Sequence, residues 1–219
     1  RSEIAGAGYT IINLKNNQYT ADELQDYGKT ISELLDASYG RDVVANAGYT
    51  IEELKSAGYS ATELYGVGSS ASGLLQALYT REEVANAGYT VAELKAAEYT
   101  AVELQEFGKS AGALLEALYT RETVANSGYT VDELKAAEYT ADELQGFEKT
   151  VGELLTAQYT RQEIASAGYT TSVLNANGFT ADELQTFGKT ISDLTVGGYE
   201  RSEIAQSGYT VDELKVALY

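Results

Sequence analysis

The sequence predicts an all-α solenoid of short, two-turn helices, one in every ten residues, and three observations carry that expectation. A Ser or Thr stands at 19 of the 21 internal decad ends, Gly40 and Glu200 being the exceptions, and most are followed three residues on by Glu or Asp. Leu, Ile or Val fills the fourth position of all 22 decads with no insertion or deletion. Self-similarity at a fixed short period marks an array whose units cannot bury their apolar faces alone.

The decad Thr50 to Tyr59 shows how one unit is specified. Thr50 and Glu53 form a capping-box pair, the hydroxyl accepting from the N3 amide while the carboxylate accepts from the N-cap amide. Tyr49 and Leu54 occupy the two positions of a hydrophobic staple, and Gly58 offers a left-handed residue that ends the helix at little cost. A helix of about two turns opens and closes inside ten residues and is far too short to stand alone in water. Positions 1 and 4, and often 7 or 8, are apolar or small, which places one narrow stripe along the helix. A β-solenoid is the competing fold. It is disfavoured because Glu-Leu-Lys and Ala-rich segments are poor strand formers and capping pairs have no purpose in strands.

A second period of 40 residues overlies the first. Arg opens the first decad of each block, at Arg1, Arg41, Arg81, Arg121, Arg161 and Arg201. The fifth position is Lys in the second decad (Lys15, Lys55, Lys95, Lys135 and Lys215, with Asn175 departing). It is Gln in the third (Gln25, Gln105, Gln145 and Gln185, with Tyr65 departing), and Leu in the fourth at Leu35, Leu75, Leu115 and Leu155, where Thr195 departs. The chain divides into units 1–40, 41–80, 81–120, 121–160 and 161–200 and a half unit 201–219, read as a single array with four helices per 40-residue layer and as a section of a longer protein. In the third decad the ninth position is Lys or Ser instead of an aromatic, and an aromatic stands two residues earlier at Tyr27, Phe107, Phe147 and Phe187. The expectation is that the chain leaves this helix differently, so that one corner in four departs from the others.

Composition narrows the function. The chain has no Cys, His, Met, Trp or Pro. Disulfides, thiol and imidazole chemistry, and soft metal ligands are thereby removed. The net charge of −18, from 33 acidic and 15 basic residues, repels phosphate backbones and anionic headgroups, so nucleic acid is not an expected partner. No apolar run approaches a membrane span, and membrane insertion is not expected. No Ca²⁺-loop spacing and no Asn-x-Ser/Thr sequon occur, so neither a metal site nor N-glycosylation is indicated. The compartment stays open, with an extracellular or cell-surface position favoured over a cytoplasmic one.

The run Ala87-Gly88-Tyr89-Thr90-Val91-Ala92-Glu93-Leu94 typifies the chain. In it the sequence resembles the tandem Ala-Gly-Tyr/Phe-Thr/Ser-x-x-Glu-Leu decapeptide arrays of large repeat proteins, and the likeness extends over its whole length. That resemblance implies a repeat class and carries no catalytic residues and no single activity.

The candidate functional groups are weighed against simpler roles. Pairs such as Glu52-Glu53 and Glu82-Glu83 resemble a general acid and base, but a carboxylate at N3 is explained by capping, and repetition in most decads is the opposite of one singular site. The 18 Tyr residues read as half-buried spacers whose hydroxyls reach the surface, with a partly exposed ladder as the alternative. The Arg ladder is the strongest candidate. An Arg in the first helical turn opposes the helix dipole and needs a compensating carboxylate or an aromatic face. Arg41, Arg81, Arg121, Arg161 and Arg201 are therefore the candidate contacts, between units or with another chain of an assembly, internal pairing being the expectation. The functional expectation is a non-enzymatic structural repeat protein, a section of an extended rod, stalk or filament, with self-association or another protein as partner and without cofactor or small-molecule substrate. The alternative is a helical scaffold for protein or carbohydrate binding.

Overall fold

The computed structural model describes residues 8–218, so Arg1, Ile4 and Tyr219 lie outside the described residues. Those residues form 21 short helices, from Ile11–Asn16 to Val211–Leu218, and no strand. Contacts divide the chain into two compact units, Arg1–Lys109 and Ser110–Tyr219. Each is a solenoid of short helices.

Local chemistry sets the helix starts. In the helix Ala21–Asp26 the Glu23 N–H donates to the Thr20 hydroxyl at 3.2 Å and the Thr20 N–H donates to the Glu23 carboxylate at 3.0 Å. Replacing such a cap by Ala costs about 1 kcal/mol. Where the hydroxyl is missing the helices still begin on register, at Arg41 after Gly40 and at Arg201 after Glu200. The neighbouring helices hold them there.

The helix ends are as regular. The Tyr19 N–H donates to the Leu14 carbonyl at 3.1 Å and the Gln18 N–H to the Lys15 carbonyl at 2.8 Å, the paired bonds of a Schellman ending. The eighth residue is left-handed whether or not it is Gly: Gln18, Ser38, Leu78, Glu98, Leu118, Glu138, Glu148 and Gln158 all adopt φ between 58° and 64°. A side chain there costs about 1–2 kcal/mol, and the two closing bonds hold it in place.

The corner that departs belongs to the first decad and not to the third. After Ala21–Asp26 the Lys29 N–H reaches the Leu24 carbonyl at 2.9 Å, the same ending as elsewhere. The relocated aromatic packs edge-on against the ninth-position Tyr of the preceding decad, with ring centroids 6.4 Å apart for Tyr19 and Tyr27 and 6.3 Å for Tyr99 and Phe107. It fills space beside the helix and leaves the chain path alone. Arg41–Ala45 is instead a five-residue helix, in which the Asn46 side chain donates to the Asp42 carbonyl at 2.8 Å. Ala47 turns inward, 1 % exposed, and its N–H closes on the Val44 carbonyl at 3.1 Å. The next turn opens without the Schellman pair seen after Ile11–Asn16.

Stacking within each unit runs between alternate helices. In Arg1–Lys109 the helices Ala21–Asp26, Arg41–Ala45, Ala61–Gly66 and Arg81–Ala85 lie on one another in succession. In Ser110–Tyr219 the helices Thr171–Ala176, Ile191–Val196 and Val211–Leu218 do the same, as do Ala181–Thr186 and Arg201–Gln206. Each 40-residue chemical unit therefore holds its four helices as two structural steps of two helices each. The core of each unit is built from fourth-position side chains, Leu24, Leu34, Leu64, Leu74 and Leu94 in one and Leu134, Leu144, Leu154 and Leu184 in the other, all fully buried. Burying a Leu contributes about 1.5–3 kcal/mol, and Ala at positions 1 and 7 lets backbones approach closely enough to do it.

Candidate functional site

The two-helix step brings each first-decad Arg onto residues 17 to 22 positions further along. Arg121 shows the arrangement. Its Nε lies 2.6 Å from the Glu143 carboxylate, one Nη donates to the Glu138 carbonyl at 2.9 Å, and the guanidinium sits 4.0 Å over the Tyr139 ring. The Tyr139 hydroxyl returns a bond of 2.7 Å to the Arg121 carbonyl. Arg41 meets Glu63, Gly58 and Tyr59 in the same way, and Arg81 meets Glu103, Glu98 and Tyr99. Arg161 meets Glu183, Gly178 and Phe179. These contacts fall within one 40-residue unit, from its first decad to the end of its second and the start of its third, and not between units, because stacking advances by two helices. Arg201 is exposed.

Each paired Glu already caps its own helix. The Arg41 guanidinium, with the Ser60 amide, pulls the Glu63 carboxyl down to about 2. At Glu103, Glu143 and Glu183 burial works upward, yet the cap amide, the cap hydroxyl and the Arg together outweigh it and the net shift is downward. A carboxylate so held is a poor proton donor or acceptor near neutrality.

A second ladder was not recognised from the sequence. Lys15 Nζ donates to the carbonyls of Ala37 and Ser38 at 3.1 and 2.7 Å, and Lys135 Nζ to those of Ala157 and Gln158 at 2.8 Å each. Both sit over an aromatic ring, Tyr39 at 4.9 Å and Tyr159 at 4.6 Å. Each ammonium thus covers the free carbonyls at the end of a helix one step away, where positive charge is favoured. The signal available in the sequence was the fifth-position Lys of the second decad, recurring everywhere but at Asn175.

The Tyr hydroxyls turn inward rather than reaching the surface. Those of Tyr39, Tyr79 and Tyr159 donate to the ninth-position carbonyls of Tyr19, Tyr59 and Tyr139, twenty residues back. Tyr49, Tyr169 and Tyr209 likewise reach Lys29, Lys149 and Lys189. Burial pushes the hydroxyls of Tyr49, Tyr89, Tyr129 and Tyr169 up to about 12.

One feature open to a ligand is a recurring shallow cleft. One, of about 660 Å³, lies among Gln25, Lys29, Ile31, Tyr49, Glu52 and Ser56. Its equivalent in the other unit, about 700 Å³, lies among Gln185, Lys189, Ile191, Tyr209, Asp212 and Val216. At Tyr65, which replaces Gln, the cleft shrinks to about 340 Å³. Among the described residues no group of three or more acidic side chains is placed to hold a metal, and no helix is long and apolar enough to cross a membrane.

The fold and these ladders define a tandem helical repeat protein in which the Arg and Lys ladders make repeating internal contacts. The decapeptide repeat region family matches residues 8–81, 68–141 and 146–219, and the chain belongs to that family. No curated protein matches it.

Proposed function

We propose that the chain is a non-enzymatic structural repeat protein, a section of an extended rod, stalk or filament. The observation that carries this reading is the fate of its reactive groups. Arg41, Arg81, Arg121 and Arg161 each take the same set of internal partners, and Lys15, Lys55 and Lys135 repeat theirs. A catalytic centre needs groups whose environments differ from one another, whereas here these groups recur 40 residues, two steps, further along. Such duplication suits continuous length, because stability in an array accrues from nearest-neighbour interfaces. Electron microscopy of the native protein tests the reading. Fibres or rods whose length scales with repeat number support it, and discrete compact particles overturn it.

A second reading, a scaffold for protein or carbohydrate binding, is favoured by the clefts beside Tyr49 and Tyr209, which combine a ring face with amide, ammonium and carboxylate groups. Titration with oligosaccharides, followed by NMR, tests it. Shifts confined to the residues around Gln25, Lys29 and Tyr49 support it, and an unchanged spectrum at millimolar ligand overturns carbohydrate as the ligand.

A further inference from the structure

In the unit Ser110–Tyr219 two successive 40-residue blocks, 121–160 and 161–200, can be compared tie by tie. In the first, Lys135 bonds two carbonyls, at 2.8 Å each, and lies 4.6 Å over the Tyr159 ring. In the second, Asn175 stands at that position and its shorter side chain bonds one carbonyl, that of Gly197, at 3.0 Å. In the first, the Tyr139 hydroxyl locks onto the Arg121 carbonyl at 2.7 Å. In the second, Phe179 takes the place of that Tyr, keeps the guanidinium at 3.9 Å over its ring and has no hydroxyl to donate.

The backbone of the second block is looser as well. Where Ala157 and Gln158 end a helix in the first block, Gly197 and Gly198 do so in the second. Gly198 is left-handed, at φ 80°, where glycine is at home, but Gly197 has φ −71°, open to any residue, and glycine there loses more freedom on ordering than Ala does, which favours the opened chain. Gly197 is also imposed by packing, because a Cβ there would lie 2.6 Å from the Thr171 methyl group. Thr171 occupies the buried place that Val131 fills in the first block. Three coupled departures, Thr171, Asn175 and Gly197, therefore fall on one interface, and the fourth, Phe179, removes a tie within residues 161–180 beside it.

We propose that the interface between residues 161–180 and 181–200 is a built-in yielding point, at which this part of the array opens before its neighbours. Arg161 with Glu183, and Tyr199 with the Phe179 carbonyl, keep the step closed at rest. What is weakened is the Lys135 tie that holds the same step shut in block 121–160, since Asn175 makes one bond where Lys135 makes two. In a one-dimensional array an opening needs only one weak interface, and the flanking steps stay folded. The inference holds whether the array spans a distance or presents a binding surface.

Hydrogen exchange by mass spectrometry on the full chain tests it. Amides of residues 171–199 are expected to exchange about tenfold faster than those of 131–159, since the charged hydrogen bond lost at Asn175 and the glycine at position 197 act on the same opening. Simple fraying from the chain end would grade smoothly, whereas a yielding point makes a step between 131–159 and 171–199. The double variant Asn175→Lys with Phe179→Tyr is expected to remove that step. The converse pair, Lys135→Asn with Tyr139→Phe, is expected to create one in the first block and provides an independent readout if the first variant folds poorly. Equal exchange of the two blocks in the unaltered chain overturns the proposal. So does a difference that survives the restoring substitutions, or a first block that the converse pair leaves unchanged.

Discussion

Arg121 and Glu143, 22 residues apart in the chain, meet with Nε 2.6 Å from Oε1, and the same carboxylate accepts the N–H of Thr140 at the start of its own helix. One carboxylate therefore fixes a helix start and a helix–helix contact together. Replacing Arg81 and Arg121 with Gln is expected to lower the melting temperature while leaving helix content and oligomeric state unchanged. Partly exposed ion pairs and ring stacking are each worth about 1 kcal/mol or less, so the two sites together should cost on the order of 2 kcal/mol. Thermal melting with sedimentation checks this, and unchanged melting with lost association would move the Arg ladder to an assembly interface.

Position along the array should matter for core substitutions. Leu94 is fully buried with helices on either side in the chain, whereas Leu214 is only partly buried. Leu94→Asp is expected to destabilise by roughly 4 kcal/mol or more and Leu214→Asp by much less, because an unpaired carboxylate is costly only where water cannot reach it. Equal melting shifts would contradict a nearest-neighbour array.

Two Gly-to-Ala substitutions should have opposite signs. Gly88 has φ of 120° and a Cβ there would come within 2.6 Å of the Tyr65 ring, so Gly88→Ala is expected to destabilise by about 2 kcal/mol. Gly146 lies in the helix Ala141–Gly146 with open space around it, and Gly146→Ala is expected to stabilise by about 0.5–1 kcal/mol. Denaturant midpoints distinguish the two, and matching signs would contradict the geometry.

Stability should fall at both ends of the pH scale for different reasons. Glu63 is held down to about 2 when folded, so its contribution is present above its unfolded value near 4.5 and is lost as pH falls from there toward 2. Tyr49, Tyr89, Tyr129 and Tyr169 are raised from 10 to about 12, so their contribution is full below pH 10 and is lost as pH rises toward 12. Melting followed by circular dichroism, with tyrosinate absorbance recorded alongside, is expected to show unfolding and ionisation together in the alkaline range. Ionisation near pH 10 without loss of helix would mean the hydroxyls are not held inside.

The decad helix was legible in the sequence because its determinants are local. Thr50 and Glu53 act across one turn, and Leu54 shares a helix face with Ile51, so start, end and buried face follow from neighbours within ten residues. Left-handed Leu78 and Glu98 were not legible. There the two bonds closing the helix outweigh a residue preference that by itself points elsewhere. The partners of Arg41, Lys15 and Tyr39 were decided by tertiary structure alone. The 40-residue chemical period says how often a side chain recurs and nothing of how far along the chain its contact lies. That distance comes from stacking alternate helices, which brings the Arg41 guanidinium to Glu63, the Lys15 ammonium to the Ala37 carbonyl and the Tyr39 hydroxyl to the Tyr19 carbonyl. The sequence settled which residues face inward, because burial follows helical periodicity, while tertiary packing selected the carbonyl or carboxylate that each polar side chain meets.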